Sequence, residues 1–131
     1  MLESQEEMGK IERFEEIEAW KEACSLAEII YKITKLERFS KNYGLKEQIQ
    51  RASVSIASNI AEGFERQTKK EFIYFLYIAK GSAGEVRTLL YLGRKLNYFD
   101  ESQYNEVLQK CIYVSNLIGK FIQYLKKYSN T

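Results

Sequence analysis

The sequence predicts an all-α protein, an antiparallel up-down-up-down four-helix bundle, and three observations carry that expectation. Proline is absent from the 131 residues, and because proline normally punctuates loops and breaks helices, such a chain reads as a few long segments joined by short turns. Apolar residues recur at steps of three and four over four separate stretches, the spacing that draws one stripe down a helix. Turn-tolerant residues fall between those stretches, and the links they form are short enough to force neighbouring helices to run antiparallel.

Residues 1–13 show no clean apolar period and read as a flexible acidic lead-in, leaving 14–128 for the bundle. The first predicted helix, 14–36, presents Ile17, Trp20, Cys24, Ala27 and Tyr31. Ser40, Asn42 and Gly44 then break the stripe over Glu37 to Gly44, the first connection. The second helix, 45–64, carries Leu45, Ile49, Ala52, Ile56 and Ile60, and Gly63 is expected to end it in the left-handed conformation. Thr68 and Glu71 have the spacing of a capping box, so the third helix starts at Lys69 and runs to 96, with Asn97 as its stop. Asp100 and Gln103 repeat the start signal, and Tyr104, Val107, Cys111, Val114, Ile118, Phe121 and Leu125 mark a fourth helix over 101–127.

The composition, 45% hydrophobic and 29% charged, is that of a folded globular chain, and its length suits one domain. The longest apolar run, Ile73 to Ala79, is far too short to cross a bilayer, so no membrane association is expected. Cys24 and Cys111 lack metal-ligand or redox-motif spacing and no secretory signal precedes them, which places the chain in a reducing cytoplasm. Histidine is absent. That removes the Ser-His and Cys-His pairs, the usual neutral-pH base and the Glu-x-x-His signature of di-iron bundles, so we expect no enzyme, no catalytic residue, no metal and no cofactor. Both cysteines fall on apolar stripes, where a thiol packs as a small hydrophobe.

Three features remain for function. A polar series on the second helix, Gln48, Arg51, Ser55, Asn59 and Glu62, with Glu85 as a partner across the bundle, reads as a structural or subunit contact or as a binding surface. The third helix is apolar around its whole circumference from Phe72 to Ala79. Phe72, Tyr74, Phe75 and Tyr77 are therefore expected at a contact with a second copy of the chain, with base stacking on Tyr74 and Tyr77 as the other reading. Charge is also uneven. Eight glutamates against three Lys or Arg give the first 22 residues a balance of −5, leaving +7 on the rest. The topology gathers Lys32, Lys35, Arg38, Lys41, Lys46, Arg94 and Lys95 at one end and Arg66, Lys69, Lys70, Lys126 and Lys127 at the other. Cations in the last turn of a helix complement its dipole, but Lys69 and Lys70 stand at a helix start and oppose it. Arg66, Lys69, Lys70, Arg94 and Lys95 are accordingly the expected nucleic-acid-binding residues.

In order along the chain, Trp20-Lys21, Tyr43-Gly44-Leu45, Gln48-Ile49, Arg51-Ala52, Ser55-Ile56 and Asn59-Ile60-Ala61-Glu62-Gly63 are followed by Lys70-Glu71-Phe72, Phe75-Leu76, Ile78-Ala79, Gly81-Ser82 and Glu85. From Phe14 to about Tyr98 this pattern resembles the small bacterial proteins named after reading frames in intervening sequences of 23S ribosomal RNA genes. The resemblance implies a four-helix bundle assembled as a homopentameric barrel. It is similar in build to the accessory variability determinants of diversity-generating retroelements, which bind a reverse transcriptase and its RNA. The expected function is a non-enzymatic oligomeric adaptor associated with RNA or DNA or with a reverse transcriptase–RNA complex. The alternative is a purely structural protein-interaction module.

Overall fold

In a computed structural model, which describes residues 11–128, every regular element is helical. A single 3-10 turn, Phe14–Glu16, precedes α1 (Glu18–Ile33), α2 (Glu37–Ser40), α3 (Tyr43–Phe64), α4 (Lys69–Lys95) and α5 (Glu101–Lys127). The four long helices pack side by side, α1 on α3 and α5, and α4 on α3 and α5. Polar bonds cross between neighbouring helices. Gln48 meets Glu85 and Ser55 meets Ser82 between α3 and α4, while Lys80 meets Ser115 between α4 and α5. The helices turn their apolar faces to a shared core in which Leu26, Ile30, Ile56, Ile60, Leu90 and Ile118 are fully buried. On α1 that face is Ala19, Ala23, Leu26 and Ile30, about one position from the expected stripe, whose Trp20, Cys24 and Ala27 are half-buried and whose Tyr31 is exposed.

Helix ends follow from local chemistry. Asn42 caps α3 by accepting from the Leu45 amide at 3.1 Å, and Thr68 caps α4 by accepting from the Glu71 amide at 3.1 Å. Glu71 takes the Thr68 hydroxyl at 3.2 Å, so only half of the reciprocal box forms there. At α5 both halves are present, Asp100 accepting from the Gln103 amide at 2.7 Å and the Gln103 side chain accepting from the Asp100 amide at 2.9 Å. Asn97 carries a φ of 62°, and the Tyr98 amide reaches back to the Gly93 carbonyl at 3.0 Å, which closes α4 in the six-to-one pattern of a Schellman end.

Three further details differ from the sequence expectation. The first helix is shorter at both ends, because Ile17 is extended and separates the 3-10 turn from α1, and because the helix stops at Ile33. The expected connection Glu37 to Gly44 contains α2, and α3 begins at Tyr43 rather than Leu45. Phe39 on α2 is fully buried and stacks on Phe99 at 6.0 Å with an interplanar angle of 6°. Gly63, finally, is not left-handed: among the described residues no glycine has a positive φ. It lies within α3 and serves packing. A Cβ there would stand 2.8 Å from the Phe75 Cβ and 2.9 Å from a Phe72 ring carbon, so the missing side chain is what lets α4 approach α3. The expected lead-in, 1–13, falls mostly outside the described residues.

Candidate nucleic-acid interface

The start of α4 and the end of α5 share one end of the molecule. Lys69 donates to the Tyr128 carbonyl at 2.7 Å, and Lys126 donates to the Tyr77 hydroxyl at 2.6 Å while lying 5.1 Å from the centre of that ring. Four lysines, 69, 70, 126 and 127, thereby come from two helices to one end, and none of them forms an ion pair with a carboxylate among the described residues. Lys70 is exposed and lacks any side-chain partner among those residues. Arg66, at the same corner, is differently placed. It pairs with Glu62 at 3.2 Å and covers the Phe75 ring at 4.8 Å.

These contacts revise the argument that local stability leaves Lys69 unexplained. Its ammonium donates to the Tyr128 carbonyl at the C-terminal end of α5, where positive charge is favourable, and that offsets its position at the start of α4. Lys126 and Lys127, which the sequence assigns to the dipole of the last helix, stand beside Lys69 and Lys70 once the helices pack. The expected topology already gathered these lysines at one end; what the packed helices add is the bond from Lys69 to the Tyr128 carbonyl and the contact of Lys126 with Tyr77.

Arg94 and Lys95 lie at the other end of α4, roughly 37 Å from Lys70 at 1.5 Å per residue. Arg94 is tied to Glu101 at 2.7 Å and Lys95 lies over the Tyr91 ring at 5.5 Å. The five residues expected to bind nucleic acid are thus two separate groups, with Arg66 and Arg94 each already neutralised by a glutamate.

The polar residues of the second predicted helix do not form one network. Gln48 donates to Glu85 at 3.2 Å, and Asn59 donates to the Ser55 carbonyl at 2.8 Å and the Ser55 hydroxyl at 2.9 Å; Ser55 also bonds Ser82 at 3.0 Å. Arg51, however, pairs with Glu47 at 3.2 Å rather than with Glu62 or Glu85, and Glu62 turns to Arg66. Ser55 and Ser82 stitch α3 to α4, and Asn59 holds Ser55 from within α3. Gln48, Arg51, Ser55 and Glu85 line an open groove of about 480 Å³ in which Arg51 is paired with Glu47 and Glu85 accepts from Gln48.

The aromatic girdle divides in two. Phe72 packs inward, edge-on to Phe64 at 5.9 Å and to Phe121 at 5.4 Å, and Phe75 lies against Gly63 under Arg66. Tyr74 and Tyr77 point out, 62% and 47% exposed. Burial pushes the Cys111 thiol up to about 11, and it donates to the Ala83 carbonyl at 3.4 Å, which suits packing and not nucleophilic chemistry. Both cysteines are free. Among the described residues no three His, Cys, Asp or Glu side chains converge, and no helix is long and apolar enough to cross a membrane.

Residues 15–120 match the sequence model of the family described as 23S rRNA-intervening sequence protein. The chain belongs to that family. A solved structure of a protein of unknown function from the S23 ribosomal protein family of Bacteroides thetaiotaomicron VPI-5482 superposes with a TM-score of 0.74 at 25% identity, covering 80% of this chain and 95% of that one. No curated protein matches. This intervening-sequence protein thus shares its helical architecture with a relative whose own activity is unassigned.

Proposed function

We propose that the protein is a non-enzymatic, self-associating adaptor, an up-down-up-down four-helix bundle that holds RNA or DNA by its phosphate backbone at the lysine-rich end of α4 and α5. The observation that carries this reading is the gathering of Lys69, Lys70, Lys126 and Lys127 with no ion-paired carboxylate among the described residues. Ammonium groups not neutralised by a carboxylate, at one end of a body with an excess of cations, release counterions on meeting phosphate, and that release supplies sequence-independent affinity. The absence of histidine and the raised Cys111 pKa support a role without catalysis. Free cysteines suit a reducing compartment such as the cytoplasm. Assembly as a pentamer, and a reverse transcriptase as a protein partner, rest on the resemblance to accessory variability determinants alone.

The alternative, a structural module that touches no nucleic acid, draws on the local employment of Arg66, Arg94 and Lys69. The two readings separate in an RNA titration of a Lys70→Glu, Lys127→Glu variant, chosen because Lys69 also ties down α5. With helicity and oligomer mass unchanged, the adaptor reading expects weaker binding and a slope of log affinity against log salt that is shallower by about 1.4, two single-strand phosphate contacts. Affinity and slope equal to the parent's would move the structural module ahead.

A further inference from the structure

We infer that the outward face of α4 is a stacking platform for single-stranded nucleic acid, with Tyr74, Tyr77 and Tyr91 receiving bases and Lys70, Lys126 and Lys95 holding the flanking phosphates. The inference deepens the proposed association with nucleic acid and rests on it. Read as a linear sequence, the tyrosine-rich stretch lacks the basic residues such platforms interleave with their rings. The fold supplies them. Lys126 reaches from α5 onto Tyr77, 5.1 Å from the ring centre, Lys95 stands 5.5 Å from the centre of Tyr91, and Lys70 lies one turn before Tyr74 on the same face.

The face is continuous. Positions 70, 74, 77, 81, 84, 88, 91 and 95 follow steps of three and four, the stripe opposite the buried Leu76, Ala79, Ala83, Val86 and Leu90. Tyr74, Tyr77 and Tyr91 are 62%, 47% and 51% exposed, a large aromatic area to leave in water. From Tyr74 to Tyr91 the helix rises about 25 Å, room for a short run of bases. Between the two tyrosine groups, Gly81 and Gly84 have nothing within 4 Å of where a Cβ would stand, so the helix surface there is bare and a strand can pass close to it.

Charge selects the occupant. After Glu71, the only other carboxylate on α4 is Glu85, which turns to Gln48 on α3. Two copies meeting through this face by a two-fold axis would set lysine against lysine, which is unfavourable. A phosphate-bearing strand meets the same lysines with complementary charge, and each base has a π face for a tyrosine whatever its identity. Binding should therefore favour single strands over duplex and show little sequence preference.

The experiment compares the parent protein with Tyr74→Ala, Tyr77→Ala and Tyr74→Phe, Tyr77→Phe double variants, titrated with a labelled oligouridylate and with duplex RNA of the same length. Mass is followed by light scattering. The inference expects the parent to prefer the single strand, the alanine variant to bind it about tenfold or more weakly with an unchanged salt slope, and the phenylalanine variant to bind as the parent does. Parental affinity in the alanine variant, while Lys70→Glu, Lys127→Glu weakens binding, would overturn the platform and leave the phosphate site standing. Equal binding of duplex and single strand by the parent would overturn it too. A drop in oligomer mass in the alanine variant would reassign the face to a contact between copies, and a parent that binds neither probe would remove both the platform and the reading beneath it.

Discussion

Gly63 and Gly81 are both interior to helices, yet their replacement by alanine should move stability in opposite directions. At Gly63 a methyl meets the Phe75 Cβ at 2.8 Å and the Phe72 carbonyl at 3.1 Å, neither of which is the free end of a flexible chain, so overpacking should cost about 1–3 kcal/mol. At Gly81 the added methyl meets nothing within 4 Å, and the gain in helix propensity should stabilise by roughly 0.5–1 kcal/mol. Denaturant midpoints of the two variants check the pair. Cys111 gives a pH signature. Its thiol is held up to about 11 from an ordinary value of 9.0, mainly by burial. The folded state therefore keeps a proton that the unfolded state gives up first, and the stability contributed by the neutral thiol is complete below pH 9 and lost as pH rises towards 11. Over that window the parent should lose on the order of 2 kcal/mol more than Cys111→Ala, read from urea unfolding at each pH. At this scale the sequence was partly legible. The apolar stripe announced that Cys111 is a packing residue, whereas the role of Gly63 depends on two phenylalanines from the next helix, and the bond from Lys69 depends on a carbonyl 59 positions away.

Among the elements, α2 is the one that periodicity cannot find. Four residues make barely one turn, too few for a stripe, and Ser40, Asn42 and Gly44 around it carry the signature of a connection. Its purpose is to deliver Phe39 against Tyr98 and Phe99, which come from beyond the end of α4, with centroids 5.2 and 6.0 Å away. Phe39→Ala should therefore destabilise by about 3–5 kcal/mol, a core-sized loss from what reads as a surface turn; a loss below about 1 kcal/mol in chemical unfolding would show that α2 is a dispensable flap. The start of α5 was readable because a capping box is a local pattern, and both of its bonds are present. The start of α1 was not, since Ile17 offers no capping side chain and the preceding 3-10 turn mimics the helical period.

For the whole molecule, the sequence supplied the all-α class and the phase of the last three stripes, because these depend on spacings within one helix. The first stripe falls about one position off, since Ala19, Ala23, Leu26 and Ile30 are the buried residues of α1 while Trp20, Cys24 and Ala27 are half-buried and Tyr31 is exposed. The functional surfaces needed the helices in place. The topology gathers the four lysines at one end, but only the packed helices give Lys69 the Tyr128 carbonyl and set Lys126 on Tyr77. The same packing takes Phe72 inward, lays Phe75 half-buried beneath Arg66 and leaves Tyr74 and Tyr77 outside, a division invisible in a stretch that is apolar on every side. The central claim is that this arrangement meets nucleic acid through phosphate charge. Its most direct measurement is the affinity of the parent protein for a single-stranded RNA across a range of salt concentrations. Four lysine–phosphate contacts predict that log affinity falls linearly with log salt with a slope of about −2.8 per subunit engaged; no detectable binding at low salt, or an affinity indifferent to salt, would contradict the account.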